Sequence, residues 1–378
     1  MEKKIFFASN SVDIGFIKEI SPTLFSTQEE EIYSLFQKIV QKRILFSGIP
    51  YNRINKPSHR QTIINRPLPS QRRKISFDEA TDMRADQIAA CVSEDTNLPI
   101  WVMWSGGIDS TVILSAIIKH WPDHLKERVV VKMNYASKLE NPFFYKNHIE
   151  NKFKVENTDI KHKLSEGYTL HGDPADPLWM SSNIVTMSWQ HGLDFCNDDI
   201  RNPSNSILAN MIATAIGADD FNKLHELVFA DSRAADVELK STSDFFWWLN
   251  FNFQYETMIT KHILDSSEVS SNEITAFDKS MPCWYDSNEY QEWSISAQPS
   301  SEKFDGSITS YKMPAKKYIY DLDKNEYSLI YKTVMGSPYG GKSTPDKPHE
   351  RVIFDDGSVY YLDRFLNRLD KIDPLLDI

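Results

Sequence analysis

An α/β fold built on a parallel sheet is what the sequence predicts, with an α+β extension before it and a helical part after it. Three observations carry this. Ile100 to Trp104 is a short, wholly apolar run of the kind that makes a strand buried on both faces. It stops at Ser105-Gly106-Gly107, where glycine lets the backbone turn tightly. From Ser110 to Trp121 the chain is apolar at Val112, Ile113, Leu114, Ala116, Ile117 and Ile118, which makes a buried helix. Strand, glycine turn and buried helix together present amide groups at a helix start, where an α/β protein binds an anion. Ser105 and Ser110 add hydroxyls. Asp109 adds a carboxylate, which repels phosphate unless a cation lies between them, so the pattern points to Mg²⁺.

The chain is long enough, at 378 residues, for one large domain with an appendage or for two domains. We divide it into an N-terminal α+β extension, residues 1–75, and a nucleotide-binding domain with a helical C-terminal part, residues 76–378. The formal net charge of -11 argues against a general nucleic-acid binder. The three cysteines, Cys91, Cys196 and Cys283, are scattered without metal-ligand spacing, which favours a reduced, cytoplasmic setting. Neither a signal peptide nor a membrane span is expected.

Taken in order, Lys4 to Ala8 and Ile44 to Ser47 read as short strands, with an amphipathic helix from Gln28 to Gln41 between them. Asn52 to Lys74, rich in Pro, Asn and Arg, reads as an irregular surface segment, with Arg72-Arg73-Lys74 a solvated linker. Ser76-Phe77-Asp78-Glu79 is a capping box that opens a helix to about Glu94, with Phe77, Ala80, Met83, Ile88 and Cys91 facing inward. Asn97-Leu98-Pro99 ends it ahead of the first strand. Val129 to Met133 is the second strand, and Asn134-Tyr135-Ala136-Ser137 lies at its carboxyl end, where parallel sheets bind ligands. Glu140 is expected to begin a helix to about Phe153, where an acidic residue is favoured by the dipole. Further on, Asn205 to Gly217 reads as a helix ending in glycine, and Phe221–Phe229 and Val237–Leu239 as short helical pieces. Ser243-Asp244 caps a long aromatic helix whose Phe245, Phe246, Trp247, Trp248, Phe251, Phe253 and Tyr255 belong to the core. Gly336 to Ser343 fits the Walker A string, but Pro345 and Pro348 forbid the helix such a loop must enter, so no second nucleotide site is expected there. Val352 to Leu362 reads as a hairpin turning at Asp356-Gly357, and a short helix ends the chain.

Ser105-Gly106-Gly107-Ile108-Asp109-Ser110 resembles the pyrophosphate loop of the ATP pyrophosphatases, which cleave ATP between its α and β phosphates. Tyr168-Thr-Leu-His-Gly172-Asp173-Pro-Ala-Asp176-Pro-Leu-Trp179 resembles a signature of the asparagine synthetase-like members, a strand ending Gly-Glu-Gly-Ala-Asp-Glu before an aromatic. Gly172, Asp176 and Trp179 match it. Asp173 stands for a glutamate, Pro174 for a glycine and Pro177 for a glutamate. Met281 to Asp286 resembles, more distantly, that family's Pro-Phe-Leu-Asp segment. Tyr311-Lys312-Met-Pro-Ala-Lys316 resembles a later segment with a lysine and, four residues on, an arginine; a solvated helical face reads equally well from the spacing alone. Three cysteines cannot fill the four-cysteine zinc site of the deazaguanine branch.

The resemblance implies an adenine nucleotide alpha hydrolase-like fold with ATP and Mg²⁺ as cofactors. It implies that Trp104, Ser105, Gly106, Gly107, Ile108, Asp109 and Ser110 bind nucleotide with Asn134, Tyr135 and Gly172, and that Ser137 and Glu140 lie nearby. Asp109 and Asp176 would hold the metal, Asp173 would be the base, and Lys312 would face the phosphates, with Lys316 in the arginine's place. The implied reaction adenylates a carboxylate or another carbonyl oxygen, after which an amine or ammonia displaces AMP. Glu2 replaces the cysteine nucleophile of glutamine-dependent members, so the nitrogen is expected to come directly from a small molecule. A nucleobase-modifying enzyme and a non-catalytic nucleotide-binding protein are the alternatives. The sequence names neither the acyl substrate nor the oligomeric state.

Overall fold

A computed structural model of the chain describes residues 4–8, 14–41, 67–179, 194–197, 207–220, 222–223, 226, 235–268, 280, 282–297, 303, 310–329, 351–354, 359–363 and 368–372. Strand β1 (Ile5–Ala8) precedes helices α1 (Ile14–Ile20) and α2 (Thr27–Gln41). Helix α3 (Phe77–Val92) leads into β2 (Ile100–Met103), and α4 (Ile108–His120) follows the glycine turn. Next come β3 (Val129–Met133), α5 (Tyr135–Glu140), β4 (Lys154–Asn157), β5 (His162–Lys163) and β6 (Tyr168–His171). Helices α6 (Ile207–Ile216), α7 (Thr242–Leu249) and α8 (Tyr255–Ser266) lead to β7 (Ser267–Glu268). Helices α9 (Asn288–Ser296) and α10 (Met313–Asp323) are followed by β8 (Arg351–Phe354), β9 (Val359–Asp363) and β10 (Arg368–Ile372).

The chain is thus mixed α/β around a four-stranded, all-parallel sheet of order β4-β3-β2-β6. β2 and β3 are buried at every position, as their apolar sequences require. The chain runs outward from β2 through β3 to β4, then returns to place β6 on the other side of β2. The strand order therefore reverses beside β2, and an open parallel sheet binds its ligand in the crevice at that point.

One sheet face, with Ile100, Val102, Val129, Val131 and Leu170, packs on Val112, Ile113, Ala116 and Ile117 of α4 in a single core. That core also takes in Phe77, Ala80 and Ile88 of α3, Trp293 of α9, and Tyr318 and Ile319 of α10. Tyr318 donates a 2.7 Å hydrogen bond to Asp82, and Lys119 donates to Tyr318 O at 2.9 Å, which ties α10 to α3 and α4. A separate sheet joins the two ends of the chain: β1 pairs antiparallel with β8, and β9 and β10 follow. Ile5, Ile17, Leu24, Phe25 and Tyr33 form a small core beside it. Among the described residues, no helix is long and apolar enough to cross a membrane.

Ser76 caps α3 through the reciprocal box with Glu79 that its spacing predicts. Several expectations are corrected. Met83 is 39% exposed, because the buried stripe of α3 runs through Thr81, Arg84, Ala85 and Val92 instead. Glu140 ends a helix rather than starting one: the Asn134 side chain caps α5 at Tyr135, and Asn141-Pro142 interrupts the chain before a new turn begins. The cap of the aromatic helix is Ser241, two residues early, and Asp244 closes its capping box. A short helix is expected at the chain's end; the last described segment is strand β10, and residues 373–378 lie outside the described residues. Val237 and Leu239 are buried and Glu238 is exposed, and the segment is not the helical piece expected. Phe245, Phe246, Trp247, Trp248, Phe251 and Tyr255 are buried as predicted, and β8 and β9 pair as a hairpin. Ile44–Ser47, most of Asn52–Lys74 and of Phe221–Phe229, the Phe253 side chain and Gly336–Ser343 lie outside the described residues.

Candidate active site at the carboxyl edge of the parallel sheet

The loop after β2 is held by its own hydroxyls. Ser105 N–H donates to Ser110 Oγ at 3.1 Å, Gly107 N–H donates to Ser105 Oγ at 3.2 Å, and the two hydroxyl oxygens are 3.1 Å apart. Thr111 Oγ1 donates to Gly107 O at 2.7 Å and accepts from Trp104 Nε1 at 3.0 Å, which fixes the strand end against the first turn of α4. Gly107 is the N-cap of α4 and brings no capping side chain, whereas α3, α5, α7 and α9 are capped by Ser76, Asn134, Ser241 and Ser287. The N-cap residue thus supplies no acceptor to the amides that open α4, a place where helices take anions.

Two glycines permit the packing around this loop. Gly106 has φ +81, and a Cβ there would stand 2.3 Å from Ser137 O. A Cβ on Gly172 would stand 2.6 Å from Ser110 N, so the turn after β6 lies directly against the start of α4. The loops that diverge at the reversal of strand order thus meet at these glycines.

Three distant segments converge on one charge centre. Lys312 Nζ is 2.5 Å from Asp109 Oδ2 and 2.7 Å from Asp176 Oδ1. Tyr311 OH donates to Asp176 Oδ1 at 3.1 Å, and Tyr285 OH donates to Asp109 O at 2.7 Å. Lys312 is the N-cap of α10 and has φ 58, a left-handed conformation that costs free energy for a residue with a Cβ. Burial pushes its ammonium down, but Asp109 and then Asp176 outweigh this and hold it well above the usual lysine range. For Asp109, burial dominates over Lys312 and lifts the carboxyl to about 6. Asp176 is 46% exposed on its side chain; burial pushes it up, and Lys312 prevails and holds it below the usual carboxylate range. Lys316, one turn along α10, is buried, and burial followed by the charge of Lys312 lowers its ammonium.

Beside this centre lies a cleft that opens to solvent. Trp104, Ser105, Gly107, Asp109 and Ser110 line it from the loop, and Gly172 and Asp173 from the turn after β6. Asp109 joins cleft and charge centre; Lys312 and Asp176 are not among the lining residues. Asn134 and Tyr135 are not among them either. The Asn134 side chain accepts from Ser137 N–H, and Tyr135 is 73% exposed. Lys132, Thr158, His171 and Met103 line the cleft without any sequence expectation. The signal for Lys132 was present as a charged residue inside an apolar strand.

No protein-family model, curated protein or solved structure matches the chain. The resemblance of Ser105–Ser110 and Gly172–Asp176 rests on those residues and their arrangement alone.

Proposed function

We propose that the cleft binds ATP with Mg²⁺ and adenylates a carboxylate, releasing pyrophosphate, before an amine or ammonia displaces AMP. The observation that carries this reading is the meeting of Lys312 with Asp109 and Asp176 beside an uncapped helix start. The donor set fits Mg²⁺. Asp109 and Asp176 both reach the Lys312 ammonium, so they lie close enough together to share a cation, and magnesium takes one or two carboxylates together with phosphate oxygens rather than an all-protein cage. Among the described residues no cluster of three or more acidic, histidine or cysteine groups offers such a cage. When bound, the metal would neutralise phosphate charge.

The chain's own residues do the rest. Amides of Ile108, Asp109 and Ser110 hold the leaving pyrophosphate with the dipole of α4 behind them. Lys312 balances the charge that develops on the α-phosphate as the carboxylate oxygen bonds to it and the bond to pyrophosphate breaks. The amine nitrogen then bonds to the acyl carbon, AMP leaves with the electron pair of its oxygen, and Asp173 takes the amine's proton. The test is the identity of the products. Purified protein given Mg²⁺-ATP, a pool of small carboxylic acids and ammonium is followed by phosphorus NMR. AMP and pyrophosphate are the expected products; ADP and phosphate would sink the reading.

A further inference from the structure

Tyr285 enters the site through the backbone. It is buried, and its hydroxyl donates to Asp109 O at 2.7 Å, in the first turn of α4. A helix pairs each C=O with the N–H four residues on, so this carbonyl already has Ile113 as its helical partner. The phenol is thus a second donor on an oxygen with two lone pairs. Asp109 C=O and Ser110 N–H are the two ends of one planar peptide unit. A hydrogen bond accepted at one end strengthens the donor at the other, by about 10–30% per bond.

Ser110 is where such strengthening counts. Its amide is the third of α4. In α3, α5, α7 and α9 the corresponding amides, those of Glu79, Ser137, Asp244 and Tyr290, are taken by the side chain of the N-cap residue. Gly107 offers α4 no such group. Gly172 leaves the same nitrogen uncovered, since a Cβ there would stand 2.6 Å from it.

The segment that carries Tyr285 is fastened to α3. Arg84, itself buried, donates from Nε to Trp284 O at 2.9 Å and from Nη2 to Cys283 O at 2.6 Å. The Tyr285 ring packs on Tyr290 with centroids 5.1 Å apart, and Tyr290 OH donates to Thr81 Oγ1 at 2.9 Å. In the Pro-Phe-Leu-Asp segment that Met281 to Asp286 resembles, leucine stands before the closing aspartate. Leucine has no hydroxyl, so the bond to Asp109 is this chain's own.

We infer that Tyr285 is a positioning residue for the adenylation step. Its hydroxyl fixes and polarises the Asp109–Ser110 peptide. The Ser110 N–H then grips the pyrophosphate as the bond to the α-phosphate breaks and charge gathers on the leaving oxygens. Tyr285 itself exchanges no proton. The inference rests on the adenylation reading, which places pyrophosphate at the start of α4.

A buried phenol needs a partner for its own sake, so the test must separate that role from positioning. Tyr290 supplies the comparison, because its hydroxyl donates to α3 and not to the loop. The full chain is compared as wild type, Tyr285→Phe and Tyr290→Phe. Calorimetry gives the affinity for pyrophosphate with Mg²⁺, a melt gives stability, and exchange of labelled pyrophosphate into ATP is followed with a pool of small carboxylic acids. Tyr285→Phe is expected to weaken pyrophosphate about three- to tenfold, the scale of one hydrogen bond. Its maximal exchange rate should fall at least as far, with the KM for the acid unchanged. Tyr290→Phe should lose stability and keep pyrophosphate affinity. Full affinity and exchange in Tyr285→Phe, or an equal loss of affinity in Tyr290→Phe, makes the hydroxyl a structural bond and overturns the inference. If Tyr285→Phe does not fold, Tyr285→Leu takes its place; if neither folds, the role is structural and the inference falls. Wild type that binds pyrophosphate but exchanges none with any acid counts against adenylation, and the affinities still decide Tyr285. Wild type that binds no pyrophosphate overturns both.

Discussion

Lys312 is the residue on which the site closes, since it touches carboxylates from the loop after β2 and from the turn after β6. One ammonium between two carboxylates cannot serve both equally. The more buried partner, Asp109, is lifted to about 6, whereas Asp176 stays ionised. This gives a stability prediction. The folded value for Asp109 lies above the unfolded value of about 3.9, so between those pH values the folded state binds more protons and its stability falls as pH rises. Urea midpoints of wild type and Asp109→Asn should therefore diverge in favour of the variant as pH goes from about 4 to about 6, then run parallel. A constant difference across that range would show that Asp109 is not held up by burial. The acidic residues of the turn after β6 divide differently. Asp176→Asn should raise the Mg²⁺ needed for ATP binding. Asp173→Asn should leave ATP binding intact and slow the amine step by roughly 10²–10⁴-fold. Equal effects on both steps from either variant would remove the distinction between metal ligand and base.

At the scale of elements, the site depends on two loops that approach more closely than side chains permit. The Gly172 turn lies against the Ser110 amide, which is backbone and cannot swing aside as a side chain could. Gly172→Ala must therefore push β6 and α4 apart, at a cost of about 1–3 kcal/mol typical of overpacking. It should also weaken Mg²⁺-ATP binding, because the turn carries Asp176 away from Lys312. Gly217 is a suitable control. It has φ +95 after α6 and, among the described residues, nothing within 4 Å of an added Cβ, so the expected cost of Gly217→Ala is strain in its own backbone. Calorimetric stability together with ATP titration separates the two cases. Gly172→Ala should lose both stability and affinity, and Gly217→Ala stability alone. Full ATP affinity in Gly172→Ala would mean that the two loops need not meet for binding.

Across the whole molecule, what could be seen in the sequence follows the range of the interactions. The strand, glycine turn and buried helix at Ile100 to His120 were visible because each signal is local, and so was the capping box at Ser76. The sequence alone does not separate Ser241 from Ser243 as the cap, because both offer the same chemistry and only the chain path selects Ser241. Met83 faces outward, against the apolar pattern, because helix phase is decided by what α9 and α10 press against α3. Lys132 and His171 could not be assigned to a cleft before the sheet register was known. The pairing of β1 with β8 leaves no local trace at all. These scales meet where the loops after β2 and β6 bring Asp109 and Asp176 to Lys312 at the start of α10, the centre that we propose activates an acyl group with ATP. The most direct test is exchange of labelled pyrophosphate into ATP, which needs only the adenylation half-reaction, measured with a pool of small carboxylic acids in wild type and Lys312→Met. The account predicts acid-dependent exchange in wild type and a loss of roughly 10²–10³-fold in Lys312→Met, the scale expected for removing one group that stabilises transition-state charge. Exchange that is absent from wild type with every acid, or undiminished in Lys312→Met, would contradict it.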